Sequence, residues 1–210
     1  MAIIVKGEWR GDVGMGRKPI EEGKLIYHLT RIENLTSIME NGILPRNMLR
    51  GNHFFDVADP NIIKKRHNRG LGDYVPFHFH PYSAFDYVIK RDQKMENLVY
   101  LCVLRSYARE RGFVILPEHP LSGCIGEGCL LPYDEGVVRM DWESMNQSDV
   151  ADAHAKSVRM AECLKKGPVL FSELYCIYVM DPARLEQIET MVRTHAKVRW
   201  PYVFDGSRLV

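Results

Sequence analysis

The stretch LIYHLTRIENLTSIMENG, residues 25–42, carries a strand signal followed at once by a helix signal. LIYHLT (Leu25–Thr30) is apolar and β-prone, which predicts a strand. Apolar residues then recur at the spacing of one helical face, and Gly42 stands where a helix would end. This pattern predicts a helix from about Glu33 to Asn41.

Further strand and helix signals follow at long and uneven intervals. Such spacing indicates a mixed α+β fold and not the regular alternation of a doubly wound sheet. The predicted strands are Tyr74–His80, Asn97–Leu104, Gly112–Leu116, Glu173–Met180 and a final VRWPYVF (residues 198–204), placed at a sheet edge because it contains Pro201. The predicted helices are Ala153–Lys165 and one that starts after Asp181-Pro182.

Residues 45–72 show no regular pattern, and their length is unusual for a loop in a compact domain. The segment is polar and partly basic, with the run KKRHNR at residues 64–69. Long loops of this kind are often functional. The sequence therefore predicts a functional loop here.

Composition limits the classes of protein to which the chain can belong. Of 210 residues, 46% are hydrophobic and 26% are charged, which fits one globular domain over residues 1–210, with a loosely patterned segment at 1–20. Lys and Arg number 28 against 27 Asp and Glu, so the net charge is +1. This balance excludes a basic coat for nonspecific nucleic-acid binding, although charge can still cluster in one groove.

The expected location is the cytoplasm, with no membrane segment. No apolar run approaches the roughly 20 residues needed to span a bilayer. The first 19 residues lack the pattern of a secretory signal. Five cysteines, an odd number, are best explained as buried free thiols in a reducing compartment.

Two familiar ligand-binding patterns are incomplete. GDVGMGRK (residues 11–18) approaches a phosphate-binding loop, but Arg17 stands where lysine is required and no Ser or Thr follows. His119, Cys124 and Cys129 lie close in sequence, and His78 and His80 alternate, but neither set has the paired spacing of a zinc site. We therefore expect no metal.

Two other groups of polar residues are candidates for a site. Alternation puts His28 and Thr30 of the strand segment YHLT on one face. Far downstream, Glu162 lies in RMAECL, next to two lysines. Residue chemistry alone leaves both functions open, because His28 could be a core histidine and Glu162 a solvated helix residue.

Four segments of the sequence, taken in order, resolve this ambiguity. They are IYHLTRIENLTSIMENGIL, IIKKRHNRGLGDYVPFHFHPYSAFDY, MDWESM and RMAECLKKGPV. In these segments the sequence resembles the DarT family of bacterial nucleic-acid ADP-ribosyltransferase toxins, over about residues 25–191. The resemblance implies an ADP-ribosyltransferase fold, in which flanking helices surround a split mixed β-sheet with an NAD cleft. It also implies NAD as substrate, single-stranded DNA as target and a macrodomain antitoxin as partner.

The resemblance assigns a group of residues to NAD. His28, Leu29 and Thr30 match the strand segment that holds the nicotinamide end and its ribose, where backbone groups and an imidazole can supply hydrogen bonds. Ser37 and Pro45 match the region that lines the NAD pocket, and we also assign Tyr74 to the cofactor site.

Glu162 matches the catalytic glutamate of the family. Nicotinamide leaves as a neutral molecule, so positive charge grows on the ribose, and a carboxylate bonded to the 2′-OH can stabilise it. The same carboxylate can take the proton that an attacking base releases. The loop before it, about residues 149–159, is then expected to recognise the substrate.

The target base depends on one position in the middle segment. Family members that modify thymine carry an arginine there, and alignment on Asn68-Arg69 puts His67 at that place, with Arg66 one residue earlier. A histidine can accept a proton, which suits the exocyclic amine of guanine. We therefore expect guanine, with His67, Arg66 and Glu162 as catalytic residues. A one-residue shift of the alignment would restore thymine.

The basic residues of the chain are candidates for DNA contacts. Phosphates are expected at Lys64, Lys65, Arg69, Lys156 and Arg159. Bases could stack on aromatic side chains of the middle segment, namely Phe54, Phe55 and Tyr74. Two alternatives stay open: the same chemistry on RNA or a protein, and an inactive module that binds NAD or nucleic acid.

Overall fold

A computed structural model describes residues 18–49, 54–55, 60–81, 83, 86, 95–121, 127–147, 152–195, 201–207 and 209. Its centre is one mixed sheet of eight strands in the order β5-β4-β6-β2-β1-β3-β7-β8. All neighbours are antiparallel except β7 and β8, which are parallel. The strands are β1 (Leu25–Arg31), β2 (Tyr74–His78), β3 (Leu98–Leu104), β4 (Val114–Leu116), β5 (Leu131–Pro132), β6 (Glu162–Lys166), β7 (Cys176–Val179) and β8 (Tyr202–Asp205).

Seven α-helices flank this sheet in the described ranges. They are α1 (Leu35–Asn41), α2 (Pro60–Asn68), α3 (Arg105–Glu110), α4 (Tyr133–Arg139), α5 (Trp142–Asn146), α6 (Ala153–Val158) and α7 (Leu185–His195). Short 3₁₀ turns join them at Ile20–Glu22, Ile32–Asn34, Arg46–Met48, Leu71–Asp73, Met95–Asn97, Glu127–Cys129, Phe171–Glu173 and Pro182–Arg184.

The sheet is split between β1 and β2. Within the described residues these strands are in register at one pair, Tyr27 with His78, whereas β1 and β3 pair along their full length. Pro76 supplies a reason, because it has no N–H to donate. Its carbonyl oxygen is 2.8 Å from Nδ1 of the His28 side chain. The His28 side chain thus replaces part of the backbone hydrogen bonding between β1 and β2, and the two strands separate beyond Tyr27.

The apolar core reflects this split. One face of the sheet carries a continuous cluster that crosses both halves, including Ile26, Phe77, Leu101 and Cys163. On the other face, two clusters lie on either side of the split. The first, on β1, β3 and β7, contains Leu29, Leu98, Tyr100, Cys102, Cys176 and Met180, and the second, on β2, β4 and β6 with adjoining turns, contains Leu71, Tyr74, Leu116, Cys129 and Leu164.

Several predictions about elements are confirmed and others are wrong. The strands at Leu25–Thr30 and Asn97–Leu104 and the helix after Asp181-Pro182 are present within a residue or so of the expected bounds. Residues 45–72 are not one loop, since they contain α2 and two 3₁₀ turns. The expected helix Ala153–Lys165 ends at Val158, and the chain then turns into β6.

Smaller differences concern strand ends and edges. The strands expected at Tyr74–His80, Gly112–Leu116 and Glu173–Met180 are shorter, at β2, β4 and β7. β8 lies at the edge of the sheet, as the proline before it predicts. Residues 198–200, at the start of that expected strand, lie outside the described residues.

The cysteines follow the expectation in part. Cys102, Cys163 and Cys176 are buried free thiols. Cys129 is disulfide-bonded, so the prediction of free thiols is wrong for that residue. The cytoplasmic location that was expected from free thiols stays a prediction. Within the described ranges, no helix combines the length and the apolar character needed to cross a membrane.

Candidate active site

One row of paired residues crosses four strands at the split. Tyr27 of β1 pairs with His78 of β2, His78 pairs with Glu162 of β6, and Glu162 pairs with Leu116 of β4. Glu162 is the first residue of its strand and is 3% exposed. It is therefore not a solvated helix residue. A carboxylate held this deep needs a specific partner.

Arg66 is that partner. Its Nη1 donates to both carboxylate oxygens of Glu162, at 2.5 and 2.7 Å. The Arg66 side chain is 16% exposed and the Glu162 side chain 4%. A charge-assisted contact of this kind offsets the cost of burying both ions. Among the described residues, Nη2 of Arg66 has no hydrogen-bond partner, although it is buried. Nη2 of Arg66 can therefore donate a hydrogen bond to a ligand that lies next to the carboxylate.

The side chain of the next residue, His67, bonds to Asn47 and not to Glu162. Its Nδ1 lies 3.2 Å from Oδ1 of Asn47 and acts as the donor there, because an amide oxygen only accepts. Nδ2 of Asn47 donates to Asp73 at 2.8 Å. The His67 side chain is exposed, so it belongs to a surface network of polar side chains.

His28 is a neutral histidine with a defined tautomer. Nδ1 donates to the Pro76 carbonyl, so Nε2 carries the lone pair that can accept a hydrogen bond. Burial lowers the pKa of His28 to about 4, against the raising effect of the Pro76 hydrogen bond. The imidazole is consequently uncharged at neutral pH and can accept a bond from a hydroxyl group.

The rest of the expected NAD segment has mixed surroundings. Leu29 is buried in the apolar cluster of β1, β3 and β7. Thr30 is 1% exposed, and its hydroxyl accepts from Nδ2 of Asn34 at 3.0 Å. Asn34 also exchanges two hydrogen bonds with the backbone of Phe55, at 2.9 and 3.0 Å. Thr30 thus orients Asn34, whose side chain anchors residues 54–55.

Three further residues assigned to NAD lie at different depths. Ser37 is exposed on α1, and Pro45 is buried just before the turn Arg46–Met48. Tyr74 is 8% exposed and packs in the cluster with Leu116 and Leu164, which leaves no open face on which a base could stack. Phe55, by contrast, is 51% exposed.

The five expected phosphate ligands divide into two groups. Lys64, Lys65 and Lys156 are exposed. The guanidinium groups of Arg69 and Arg159 bind backbone carbonyls of the protein instead. Arg69 donates to Pro120 and Leu121, and Arg159 donates to Met145 and Gln147.

The expected recognition loop is described only in part. Residues 149–151 lie outside the described residues, and α6 begins after its N-cap, Asp152. The Asp152 carboxylate accepts from the backbone N–H groups of His154 and Ala155, which is ordinary helix capping. The end of the segment that leads to Glu162 is therefore helical.

Two histidines near Glu162 were not predicted as members of this site. His78 is its register neighbour and is 9% exposed. His119 lies in the turn after β4, where burial lowers its pKa and Glu162 opposes that effect. The backbone N–H of Leu121 donates to His119 Nδ1 at 2.9 Å. The sequence showed both only as ligands for a metal, and among the described residues no three His, Cys, Asp or Glu side chains could hold one.

Structural comparison gives the same fold in three solved complexes. Thermus sp. 2.9 DarT in complex with ADP-ribosylated ssDNA is 24% identical, with a TM-score of 0.76 over 88% of this chain and 94% of that one. The complex of the same protein with NAD+ is 22% identical, with a TM-score of 0.71 over 91% and 97%. Thermosipho africanus DarTG in complex with ADP-ribose is 20% identical, with a TM-score of 0.71 over 89% of this chain and 51% of that one.

These likenesses confirm the predicted α+β ADP-ribosyltransferase fold. No curated protein sequence matches the chain significantly. A family model described as "ssDNA thymidine ADP-ribosyltransferase, DarT" matches residues 27–206. That range includes the whole row from Tyr27 to Glu162 together with Arg66. The chain therefore belongs to the DarT family.

Proposed function

We propose that this protein transfers ADP-ribose from NAD to thymine in single-stranded DNA and releases nicotinamide. The observation that carries the proposal is the contact of Arg66 with both oxygens of Glu162 at the split of the sheet. The family description and the solved complexes of related proteins with NAD+ and ADP-ribosylated ssDNA support the same reaction.

Glu162 stabilises the reacting ribose. The bond from ribose C1′ to the nicotinamide nitrogen breaks, nicotinamide takes the electron pair, and positive charge develops on the sugar. Each carboxylate oxygen that Arg66 contacts retains further lone-pair capacity, so Glu162 can also accept from the ribose 2′-OH. This places negative charge next to the developing cation, which is the largest contribution that fixed groups make to such a step.

The choice of base follows from Arg66. A new bond joins ribose C1′ to a base nitrogen, and the proton of that nitrogen must leave, with Glu162 as acceptor. The ring nitrogen of thymine lies between two carbonyls, and an arginine that stays cationic can stabilise the negative charge that reaches them. Nη2 of Arg66 is the atom that donates to such a carbonyl. The argument for guanine depended on His67 at this place, and His67 bonds to Asn47.

The remaining residues bind the two substrates. His28 accepts a ribose hydroxyl of NAD through Nε2, and Ser37, Pro45 and the strand segment at Leu29 and Thr30 surround that end of the molecule. Lys64, Lys65 and Lys156 contact phosphates of the DNA. A macrodomain antitoxin that removes ADP-ribose is the partner to be expected from the family, and we place the reaction in the cytoplasm.

A panel of single-stranded oligonucleotides tests the base and the reaction together. Each oligonucleotide lacks one base, one arm uses RNA, and mass spectrometry after incubation with NAD detects the added ADP-ribose. We expect labelling to require thymine. Labelling that depends on guanine would restore the alternative, and labelling of RNA alone would move the target away from DNA.

Glu162→Gln is the matched inactive control in this experiment. It keeps the size of the side chain and one oxygen acceptor but removes the negative charge. Loss of a fixed electrostatic group typically reduces turnover by about 10² or more. NAD titration should still show binding. Full activity in this variant would show that Glu162 is not the catalytic carboxylate.

A further inference from the structure

We propose that Arg69 is a positioning residue, which holds α2 against the loop at residues 117–121 and so keeps Arg66 on Glu162. Sequence alone had assigned Arg69 to DNA phosphates. The inference rests on the proposed function for its catalytic consequence, whereas the bracing itself concerns the fold.

The guanidinium of Arg69 binds two consecutive carbonyls. Nη1 donates to Pro120 at 3.0 Å and Nη2 donates to Leu121 at 2.9 Å. Both bonds are partly buried. The planar fork of an arginine suits two parallel acceptors, and the single ammonium of a lysine does not reproduce it. This is the geometry of a brace between two segments of the protein.

Arg69 is linked to Arg66 by one turn of backbone. The N–H of Arg69 donates to the Arg66 carbonyl and that of Gly70 donates to the His67 carbonyl, each at 3.0 Å. Gly70 has φ +75°, the left-handed conformation that ends helices. The end of α2 is therefore well defined. A displacement of Arg69 would move Arg66 with it.

The loop at residues 117–121 is fixed to β6, the strand that carries Glu162. It follows Leu116, the last residue of β4, which pairs with Glu162. The N–H of His119 lies 3.3 Å from the hydroxyl of Ser157 on α6, and the N–H of Leu121 donates to the His119 ring. Arg66, Glu162, β4, this loop and Arg69 thus form a closed ring of contacts. Opening it at Arg69 frees α2 to shift relative to Glu162.

The two roles of Arg69 predict different kinetics. A phosphate ligand contributes to oligonucleotide binding, so its loss raises KM and reduces the salt dependence of kcat/KM by about 0.7 in the logarithmic slope. A positioning residue acts on the reacting geometry, where a displacement of about 1 Å can cost up to 10²-fold in rate. Its loss lowers kcat and leaves the salt slope unchanged.

Arg69→Lys is the variant to test, because it keeps the charge and removes the fork. We expect kcat on a thymine oligonucleotide to fall about tenfold or more, with KM within about twofold of wild type. Lys64→Ala on the same helix is the matched control for a phosphate contact, and it should raise KM and lower the salt slope. Arg193→Ala, at an exposed position of α7, should match wild type.

Hydrogen exchange measures the bracing without reference to activity. In Arg69→Lys, peptides from 60–70 and 117–121 should exchange faster, while peptides from β3 stay protected and exclude global unfolding. Unchanged exchange, or normal kcat in Arg69→Lys with raised KM in Arg69→Ala, would overturn the inference. A wild-type enzyme that labels no oligonucleotide would instead overturn the proposed function.

Discussion

At the residue scale, the site depends on which way two pairs of neighbouring side chains turn. Arg66 reaches Glu162, while His67 bonds to Asn47 at the surface. His28 turns toward the split and bonds to Pro76, while Leu29 packs in an apolar cluster. Each residue that we propose to act in the reaction is thus adjacent to one with a structural role, and single substitutions can separate the two roles.

Arg66→Lys should separate base activation from ribose chemistry. Lysine keeps a positive charge beside Glu162 but cannot offer a second donor in the same plane. We expect transfer to thymine to fall about tenfold or more, which corresponds to about 1.4 kcal/mol of transition-state stabilisation. Release of nicotinamide from NAD in the absence of DNA should be largely retained. Equal loss of both rates would place Arg66 in the ribose step.

His28→Gln should weaken NAD binding about fivefold, because a hydrogen bond to a ribose hydroxyl is worth about 1 kcal/mol. Titration calorimetry measures the affinity, and the melting temperature should stay within a few degrees. His195→Gln is the matched control, since His195 also has Nδ1 next to a backbone carbonyl, that of Met191, but lies exposed on α7. A large loss of stability with unchanged affinity would instead identify His28 as a core histidine.

At the element scale, β4 connects β6, the strand that carries Glu162, to the packing of α4. Ile115 pairs with Cys163 of β6, and Gly136 of α4 lies directly against Ile115. A Cβ at Gly136 would lie 2.2 Å from Ile115 Cβ. The glycine is required there by the close approach of helix and strand, although alanine is the better helix former.

Gly136→Ala should therefore destabilise the protein by about 1–3 kcal/mol, the usual cost of overpacking. Denaturant unfolding measures the change. Gly128→Ala is the control, since a Cβ there meets nothing within 4 Å and the change should stay within about 0.5 kcal/mol. If Gly136→Ala is as stable as wild type, α4 does not pack this tightly on β4.

At the scale of the whole molecule, buried titrating groups define a pH range of stability. Burial lowers the pKa of His28 to about 4 and also lowers the pKa of His80. Unfolded histidines take up protons near the ordinary value of 6.5, so the unfolded state binds more protons than the native state below that pH. Burial raises the pKa of the Cys163 thiol above its ordinary value of 9.0, which reverses the imbalance at alkaline pH.

The melting temperature should accordingly be highest between about pH 6.5 and 9 and fall on either side. The melting temperature should fall steadily from pH 6.5 toward pH 4. Near pH 4, carboxylates whose pKa is lowered in the native protein, such as Glu173, also begin to lose their stabilising charge. Thermal melts at constant ionic strength measure this profile. In His28→Gln the melting temperature should fall less steeply between pH 6.5 and pH 4. A melting temperature that rises on acidification from pH 6.5 to 5 would contradict the burial of neutral histidines.

The amino-acid sequence by itself determined the family, the fold class and several of the elements. Local patterns were sufficient for β1, β3 and α7, since each carries a continuous apolar or amphipathic signal. They failed where neighbours decide the structure. Residues 159–165 have helical composition, but Glu162–Lys166 pairs with β2 on one side and β4 on the other and becomes a strand.

Tertiary structure alone decided the direction of each side chain around Glu162. A difference of one residue separates Arg66 from His67, and α2 has too few apolar residues for its sequence to show which side faces the sheet. The same holds for Arg69 and Arg159, which a basic run marks as phosphate ligands until their carbonyl partners are known. Those partners lie some 50 and 14 positions away, and only packing brings them together.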